Sequence, residues 1–289
     1  MKIYYYVHTG HRIGLDRFRR AVAIINSLGD VDITLLCSDF RIAQIAKDFG
    51  IKNSVGVDVV RNIPQIALYG DKLIFDSMEA NPIMLDDMRN YFSTFIRISD
   101  DINDKKEENE FLISPYLNGE GICNAYAIND TFFQEEENKS IKISFFFGDD
   151  DYEKDLEKNL SFIDGLNADL QLGFYYFLDY EERLRKFFPN HHEFDAYEEM
   201  IKKSQILITA SPQAILESLA CGNKPIYFQR EDYGTEFVEL FKNLNVPIVE
   251  NLDINQLSHV LQTISKQEYV KPTQFSEKIA NFIKETLAL

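Results

Sequence analysis

The segment His8-Thr9-Gly10-His11-Arg12-Ile13-Gly14-Leu15-Asp16-Arg17-Phe18-Arg19-Arg20 crowds two histidines, two glycines and four arginines into one loop and the first turn of a helix. Such a cluster suits an anion or sugar site, with His8 or His11 as general base or hydrogen-bond partner, because an imidazole titrates near neutral pH. The competing reading is structural: the arginines pair with carboxylates and the histidines finish a loop. A second stretch, Ile206 through Gly222, places Ser211 and Pro212 at the end of an apolar run. Serine is a good helix N-cap and proline a good first helical residue, so a helix should begin there with free N–H groups facing a phosphate. Glu217, inside that helix between apolar neighbours, is suited to a pair of ribose hydroxyls, or else marks a partly exposed helix face. The third stretch is Phe145-Phe146-Phe147-Gly148-Asp149-Asp150-Asp151, a strand running into an abrupt turn. Its carboxylates make a poor phosphate cradle, and a capped, solvated helix start is the simpler reading than a metal cluster.

Other patterns carry less. His191-His192 has no carboxylate or cysteine at ligand spacing and reads as a surface loop, so no metal site is expected. A phosphate-cradling lysine loop, a GxGxxG turn, a GxSxG elbow and an HExxH helix are all missing from the sequence, which disfavours P-loop nucleotide hydrolysis and serine-hydrolase chemistry.

The elements that must position these residues alternate from the first residue onward. Buried β-rich runs at 2–7, 32–38, 72–76 and 94–99 are separated by amphipathic segments at 15–28, 42–49 and 83–91, the pattern of a parallel sheet covered by helices. A polar run at 100–110 reads as a solvated loop, and another at 134–140 precedes a new strand at 141–148. The alternation then repeats: helix 151–166, strand 170–177, helices 180–188 and 197–204, strand 205–210, helix 212–221, strand 225–229, helix 234–244, strand 246–250, and closing helices 255–266 and 274–287. We therefore expect an α/β chain of two similar lobes, residues 1–140 and 141–270, with a last helical stretch at 271–289.

Composition narrows the partners. The chain has 289 residues, of which 45% are hydrophobic, enough to bury a sizeable core. Lys+Arg number 30 against 47 Asp+Glu, a net charge of −17 that repels nucleic acid and anionic lipid alike. Any anionic ligand must be held by donors that work locally against this field. Cys37, Cys123 and Cys221 are odd in number and widely spaced, which fits buried free thiols in a reducing compartment. No apolar run approaches the ~18 residues that span a bilayer, and the N-terminus is too short for a signal-peptide core, so a cytoplasmic location is expected.

In their order along the chain these stretches resemble the nucleotide-sugar enzymes of the GT-B fold, most closely the UDP-sugar hydrolase of pseudaminic acid biosynthesis and more distantly the GlcNAc transferase that makes lipid II. Ile13-Gly14 and Arg20 match the hydrolase's first-loop signature. Leu73-Ile74-Phe75-Asp76 and Ile98-Ser99-Asp100-Asp101 resemble its later strand ends, and Asn124-Ala125-Tyr126-Ala127-Ile128 the stretch before its linker. Phe147-Gly148 stands where the family has a Gly-Gly turn, and Ala210-Ser211 through Glu217, Gly222 and Lys224-Pro225 matches its donor-nucleotide segment. Thr9-Gly10-His11 also resembles the TGGH loop of the lipid II enzyme. The resemblance implies two Rossmann-like lobes with a cleft between them, residues 271–289 as a helix crossing back to the first lobe, and a UDP-sugar substrate, with its diphosphate near Gly148 and Ser211, its ribose against Glu217, and its sugar toward Gln229–Thr235 and the first loop with Arg12 and Gly14. No cofactor is implied.

One departure bears on mechanism. The hydrolase carries its catalytic histidine in an I-G-x-G-H-x-x-R motif, and here Arg17 stands at the histidine position and Asp16 at that of the second glycine. Arginine stays protonated and cannot act as a general base. The expected function is an inverting, metal-independent glycosyltransferase-like enzyme of surface-glycan biosynthesis, with His11 or Asp16 as base and Arg17 or Arg12 steadying the leaving diphosphate. A UDP-sugar hydrolase with an altered loop and a non-catalytic nucleotide-sugar binder are the alternatives. The acceptor is left open, as are dTDP and CMP in place of UDP.

Overall fold

A computed structural model describes residues 1–79, 81–134, 138–163 and 165–289, and the chain divides into two units. The first comprises Met1–Gly10, Arg17–Asn129 and Gln274–Leu289, the second His11–Asp16 and Asp130–Thr273. The division therefore falls some ten residues before the position read from the sequence, and the loop after the first strand sorts with the second unit. Residues 135–137 of the polar run at 134–140 lie outside the described residues.

The first unit is built on β1 (Ile3–Val7), whose five residues are all buried. A strand covered on both faces reads as one continuous apolar run, as this one does. Around it are α1 (Asp16–Leu28), β2 (Ile33–Cys37), α2 (Phe40–Ile45), β3 (Asn53–Gly56), β4 (Lys72–Asp76), α3 (Pro82–Tyr91), β5 (Thr94–Ile98), β6 (Phe111–Ser114) and β7 (Ile122–Asn124). The sheet order is β3-β2-β1-β4-β5-β6-β7, every described pair parallel. In register Tyr4 and Tyr6 lie between Leu73 and Phe75 of β4 and Thr34 and Leu36 of β2. They pack with Phe95 in the core on one face, while Tyr5 points to the other. Side chains fix the helix starts: the carboxylate of Asp39 accepts from the Arg41 N–H, and Asn81 accepts from Ile83 and Met84.

The polar run at 100–110 is not simply solvated. Arg97 of β5 is buried and holds Asp104 and Glu110, the latter at 2.9 Å, and Glu110 is itself buried. A guanidinium cannot be neutralised, so once a sheet buries one it must recruit carboxylates from the nearest chain. Cys37, Cys123 and Cys221 are buried free thiols, and burial pushes Cys37 and Cys221 up to about 12.

The second unit contains β8 (Ile141–Phe146), α4 (Asp155–Lys158), β9 (Asp169–Gln171), α5 (Leu178–Leu184), β10 (His191–His192), α6 (Tyr197–Lys203), β11 (Ser204–Thr209), α7 (Pro212–Ala220), β12 (Lys224–Phe228), α8 (Val238–Asn243), β13 (Ile248–Val249) and α9 (Ile254–Thr263). Its parallel sheet runs β10-β9-β8-β11-β12-β13. Phe145 centres the core, stacked on Phe228 with ring centroids 5.5 Å apart and flanked by Phe162 and Phe188. The helix expected over 151–166 is cut to the single turn of α4 and a short 3-10 turn: Lys154 is left-handed just before α4, and Asn159 leaves helical geometry just after it; Asp164 lies outside the described residues. His191-His192 is a short edge strand rather than a loop. The last helix, α10 (Ser276–Leu287), belongs to the first unit: Ile279, Ile283 and Leu287 are buried at four-residue spacing, Phe282 meets Phe111, and Lys278 donates to the Asn124 carbonyl at 2.6 Å. Among the described residues no helix is long and apolar enough to cross a membrane.

The ion cluster at the end of β4 sets the stability of the first sheet. Arg20 donates from Nε to Asp76 at 2.9 Å and from Nη1 to Asp100 at 2.6 Å, and Asp76 also accepts from the Tyr5 hydroxyl at 3.1 Å. Asp76→Ala leaves the buried guanidinium underpaired and should cost about 3–5 kcal/mol in urea unfolding. Asp39→Ala, which removes a helix cap and an exposed contact with Arg41, should cost about 1 kcal/mol. Equal losses would contradict this account.

Candidate functional site

Both sheets have the doubly wound strand order, which reverses between β1 and β4 in the first unit and between β8 and β11 in the second. Crevices beyond the carboxyl ends of such strand pairs are where these sheets take ligands. The chemistry-bearing residues collect at these two places.

In the second unit β8 runs into the turn at Gly148, whose φ of +123° suits glycine alone. A Cβ there would stand 2.8 Å from both the Asp150 carboxylate and the Tyr233 hydroxyl. The turn also abuts Gly173, where a Cβ would come within 2.5 Å of the Gly148 carbonyl oxygen. Asp149, Asp150 and Asp151 are all buried, each with its own task. Asp149 accepts from the Phe174 N–H at 3.1 Å. Asp151 caps α4 through the N–H groups of Asp155 and Leu156 and takes the Tyr180 hydroxyl proton as a hydrogen bond. Asp150 faces Arg230, at 3.0 Å, and the Tyr233 hydroxyl, at 2.6 Å, both through Oδ1, while its Oδ2 is buried without a partner. Arg230 in turn lies between the rings of Phe147 and Tyr233, at 4.5 and 4.2 Å from their centroids, and pairs with Asp232. Burial pushes the Asp150 carboxyl up to about 6, against the opposing pull of Arg230 and Tyr233.

At the end of β11, Ser211 caps α7 by accepting from the Ala214 N–H at 3.1 Å, and Pro212 opens the helix. The group lying against this N-terminus is the carboxylate of Asp16: the Ser211 hydroxyl donates to it at 2.6 Å and the Gln213 N–H at 3.3 Å. One turn on, Glu217 is buried and accepts from Tyr197 at 2.7 Å and from Gln213 Nε2 at 2.9 Å. Gln229 gives its amide to the carbonyls of Arg230, Tyr233 and Gly234 and so holds the loop after β12, while Thr235 is exposed on that loop.

The first loop is shared out. His11 is exposed against the Tyr152 ring, Arg12 pairs with Glu153 at 2.7 Å, and Gly14 lies over Asp150, all within the second unit. Arg17 is in the first unit, within 3.6 Å of Asp76 and 3.7 Å of Asp100, in the carboxylate pairing that the structural reading of these arginines expects. His11, Arg12, Gly14, Asp16, Gly148, Ser211 and Glu217 thus collect in one unit, without Arg17.

Also at the first reversal point stands His8, at the end of β1. Its Nδ1 is buried without a partner, and burial lowers its pKa, with Arg17 acting in the same direction and Glu79 and Asp76 opposing. The sequence reading, in which 149–151 is solvated, misses the pairing of Asp150 with Arg230 and Tyr233. The signal that could have found it is position: Arg230 comes as soon after the end of β12 as Ser211 does after β11. Among the described residues no group of three or more His, Cys, Asp or Glu side chains is placed to hold a metal ion.

Neither a protein-family model nor a curated protein matches the sequence. Solved structures do match in shape. HepE from Anabaena in complex with UDP-glucose superposes with a TM-score of 0.61 at 12% identity, covering 100% of this chain and 98% of that one. The UDP-GlcNAc 2-epimerase of Methanocaldococcus jannaschii, in complex with UDP-GlcNAc and UDP, gives 0.60 at 12% identity over 99% and 100% of the two chains. A glycosyltransferase from Rickettsia africae gives 0.50 at 11% identity over 99% and 93%. The fold is of the GT-B type. Identity this low speaks for the fold alone, and what the chain does must be argued from its own residues.

The raised Asp150 carboxyl makes stability depend on pH. An aspartate that ionises near 3.8 when unfolded and near 6 when folded contributes stability below the lower value and loses it as pH rises through the upper one. The unfolding free energy of the wild type minus that of Asp150→Asn should therefore fall between about pH 4 and pH 6 and level off above. A difference that is flat or rises across this range, in urea titrations at each pH, would contradict the assignment.

Proposed function

We propose that the chain is a nucleotide-sugar-dependent glycosyltransferase-like enzyme that takes a UDP-sugar through its second unit. The observation that carries this reading is the end of β11. There a Ser-capped, proline-opened helix already holds an anionic carboxylate through a hydroxyl and a backbone N–H, beside a glycine turn at the strand-order reversal. A diphosphate would take that place near Gly148 and Ser211, the ribose would lie against Glu217, and the sugar toward Gln229–Thr235. Nucleotide ligands named in the neighbours' structures, UDP-glucose with HepE and UDP with the epimerase, are consistent with this choice.

The chemistry we assign is inverting and metal-independent, in the making of a surface glycan. An acceptor hydroxyl attacks the anomeric carbon, the bond from that carbon to the diphosphate oxygen breaks, and UDP leaves with the bond's electrons. The hydroxyl proton passes to a base, while the α7 N–H groups and Arg12 balance the charge that develops on UDP. His11 is the better base of the two candidates within the second unit, because the Asp16 carboxylate already accepts hydrogen bonds at α7. A hydrolase, with water in place of the acceptor, is the second reading. It is favoured by His8, a half-buried imidazole of the first unit whose proton affinity burial lowers and Glu79 opposes.

A ligand that binds only the folded chain must raise its melting temperature. UDP or its sugar conjugates at about 100 times Kd should raise Tm by several degrees, and dTDP, CMP and GDP should do less. Release of free sugar from donor alone, detected by mass, would select the hydrolase, and product only with an acceptor the transferase. His11→Ala should lower turnover by roughly 100-fold or more at unchanged binding. No stabilisation by any nucleotide would overturn the proposal.

A further inference from the structure

Among the described residues, the first sheet has one open edge, at β3. At its other edge β7 has three residues and gives its Asn124 carbonyl to Lys278 at 2.6 Å, and the edges of the second sheet, β10 and β13, have two residues each. β3 has four, in even parallel register with β2 and without proline. Two backbone bonds show which way it faces. The Ser38 N–H donates to the Val7 carbonyl at 3.2 Å, and the Val57 N–H to the Cys37 carbonyl at 2.7 Å. Backbone groups alternate sides along a strand, so Asn53 and Val55 bond to β2, while Ser54 and Gly56 turn their N–H and C=O groups outward. Among the described residues no strand lies beyond them.

Apolar side chains flank this row. Phe40 and Val55 are 53% and 38% exposed, and the Phe40 ring lies over Gly56, where a Cβ would run into it. Outward N–H and C=O groups beside exposed apolar side chains are a template for another strand. We propose that β3 pairs antiparallel with β3 of a second copy of this chain, about a two-fold axis at Val55, so that two first-unit sheets join at their edges.

The register follows from the sequence. Across a two-fold axis, residue i meets residue j of the second copy and j meets i. Even-numbered residues face outward, so the hydrogen-bonded pairs must join even to even, which an axis between residues would prevent. With the axis at Val55, Ser54 exchanges both bonds with the second copy's Gly56, and Gly56 does the same with its Ser54. Val55 then faces Val55 as a close, non-hydrogen-bonded pair. The two Phe40 rings, each over a Gly56, come to diagonal positions that aromatic side chains can span. Lys52 falls opposite the second copy's Asp58, once on each side of the axis. Both are exposed; among the described residues Asp58 makes no ion pair, and Lys52 meets only the exposed Asp30, at 3.5 Å. An axis at Ser54 would set Lys52 against Gly56, and one at Gly56 would set it against Val60, so either loses both pairs. This self-complementary charge is what favours a second copy over a peptide of unrelated sequence, in a chain whose net charge of −17 otherwise keeps copies apart.

Sedimentation velocity of the full chain between about 1 µM and about 1 mM should show monomer giving way to dimer. Lys52→Glu or Asp58→Lys sets like charges opposite each other on both sides of the axis and should weaken the dimer about tenfold. The double variant restores opposite charges with their places exchanged and should recover the dimer to within about threefold. Lys105→Glu, the same change at an exposed position of the first unit, should alter it by no more than about twofold. Val55→Cys should give a disulfide-linked dimer under mild oxidation and Asn53→Cys should not, because only position 55 faces itself; the native thiols are buried. Amide exchange followed by NMR needs no substitution: Ser54 and Gly56 should exchange fast in dilute solution and slowly at the highest concentration, with Val55 protected in both. A dimer that both charge reversals leave unchanged, or Ser54 and Gly56 amides equally fast at every concentration, would overturn the pairing. A chain that stays monomeric throughout would overturn it too, and would leave the edge to an extended segment of a different protein. None of these outcomes bears on the nucleotide-sugar reading.

Discussion

A buried guanidinium keeps its charge, and both sheets of this chain are arranged around one at the place where the strand order reverses. In the first unit it is Arg20, bound to Asp76 at the end of β4 and to Asp100 after β5, with the Tyr5 hydroxyl completing Asp76. In the second it is Arg230, bound to Asp150 after β8 and to Asp232, with the Tyr233 hydroxyl completing Asp150. An arginine, two carboxylates and a tyrosine thus recur at both. Removing one partner would strand a charge out of water, so the turns that carry these groups start from defined positions. Gly148 shows the consequence at close range: the turn can pass between Asp150, Tyr233 and Arg230 only because it has no Cβ.

The acidic balance of the chain gives the second unit its character. With 47 carboxylates against 30 basic residues, the chain supplies an anion of its own to the N-terminus of α7. Asp16 at Ser211 is that anion. The same excess explains why few arginines are idle: Arg12, Arg17, Arg20, Arg97 and Arg230 each meet at least one carboxylate. A ligand site in such a protein is defined less by free positive charge than by backbone N–H groups and hydroxyls, which the chain cannot neutralise by forming a salt bridge.

What can be read from the sequence is local. Ser211-Pro212 announces a capped helix within two residues, and the strand at 72–76 and the helix ending at Tyr91 come from apolar periodicity. The two-lobe α/β class comes from the alternation itself. The short strands β3, β6, β7 and β10, two to four residues each, carry too few positions to show a period. The acidic run 149–151 looks like a solvated loop because its partner is remote, Arg230 being 80 residues from Asp150, whereas the run 100–110 looks so because the sequence does not tell that Arg97, 7 residues before Asp104, is buried. Distance also hides the contact between Asp16 and Ser211, 195 residues apart, although each residue stands out by itself.

Asp16 and Arg17 are adjacent in the chain but are held by different partners. A glycine at position 16 would have no side chain to set against α7, and a histidine at position 17 would stand beside Asp76 and Asp100. Here the first position supplies a carboxylate to Ser211 and the second a guanidinium to those two aspartates. Adjacent residues are pulled to different units, one by a helix N-terminus and the other by a pair of carboxylates. Both aspartates also hold Arg20, so Arg17 brings a second guanidinium to the same two carboxylates. Arginine cannot give up its charge, so position 17 serves to pair carboxylates in the first unit, while the loop's imidazole, His11, rests on the Tyr152 ring in the second.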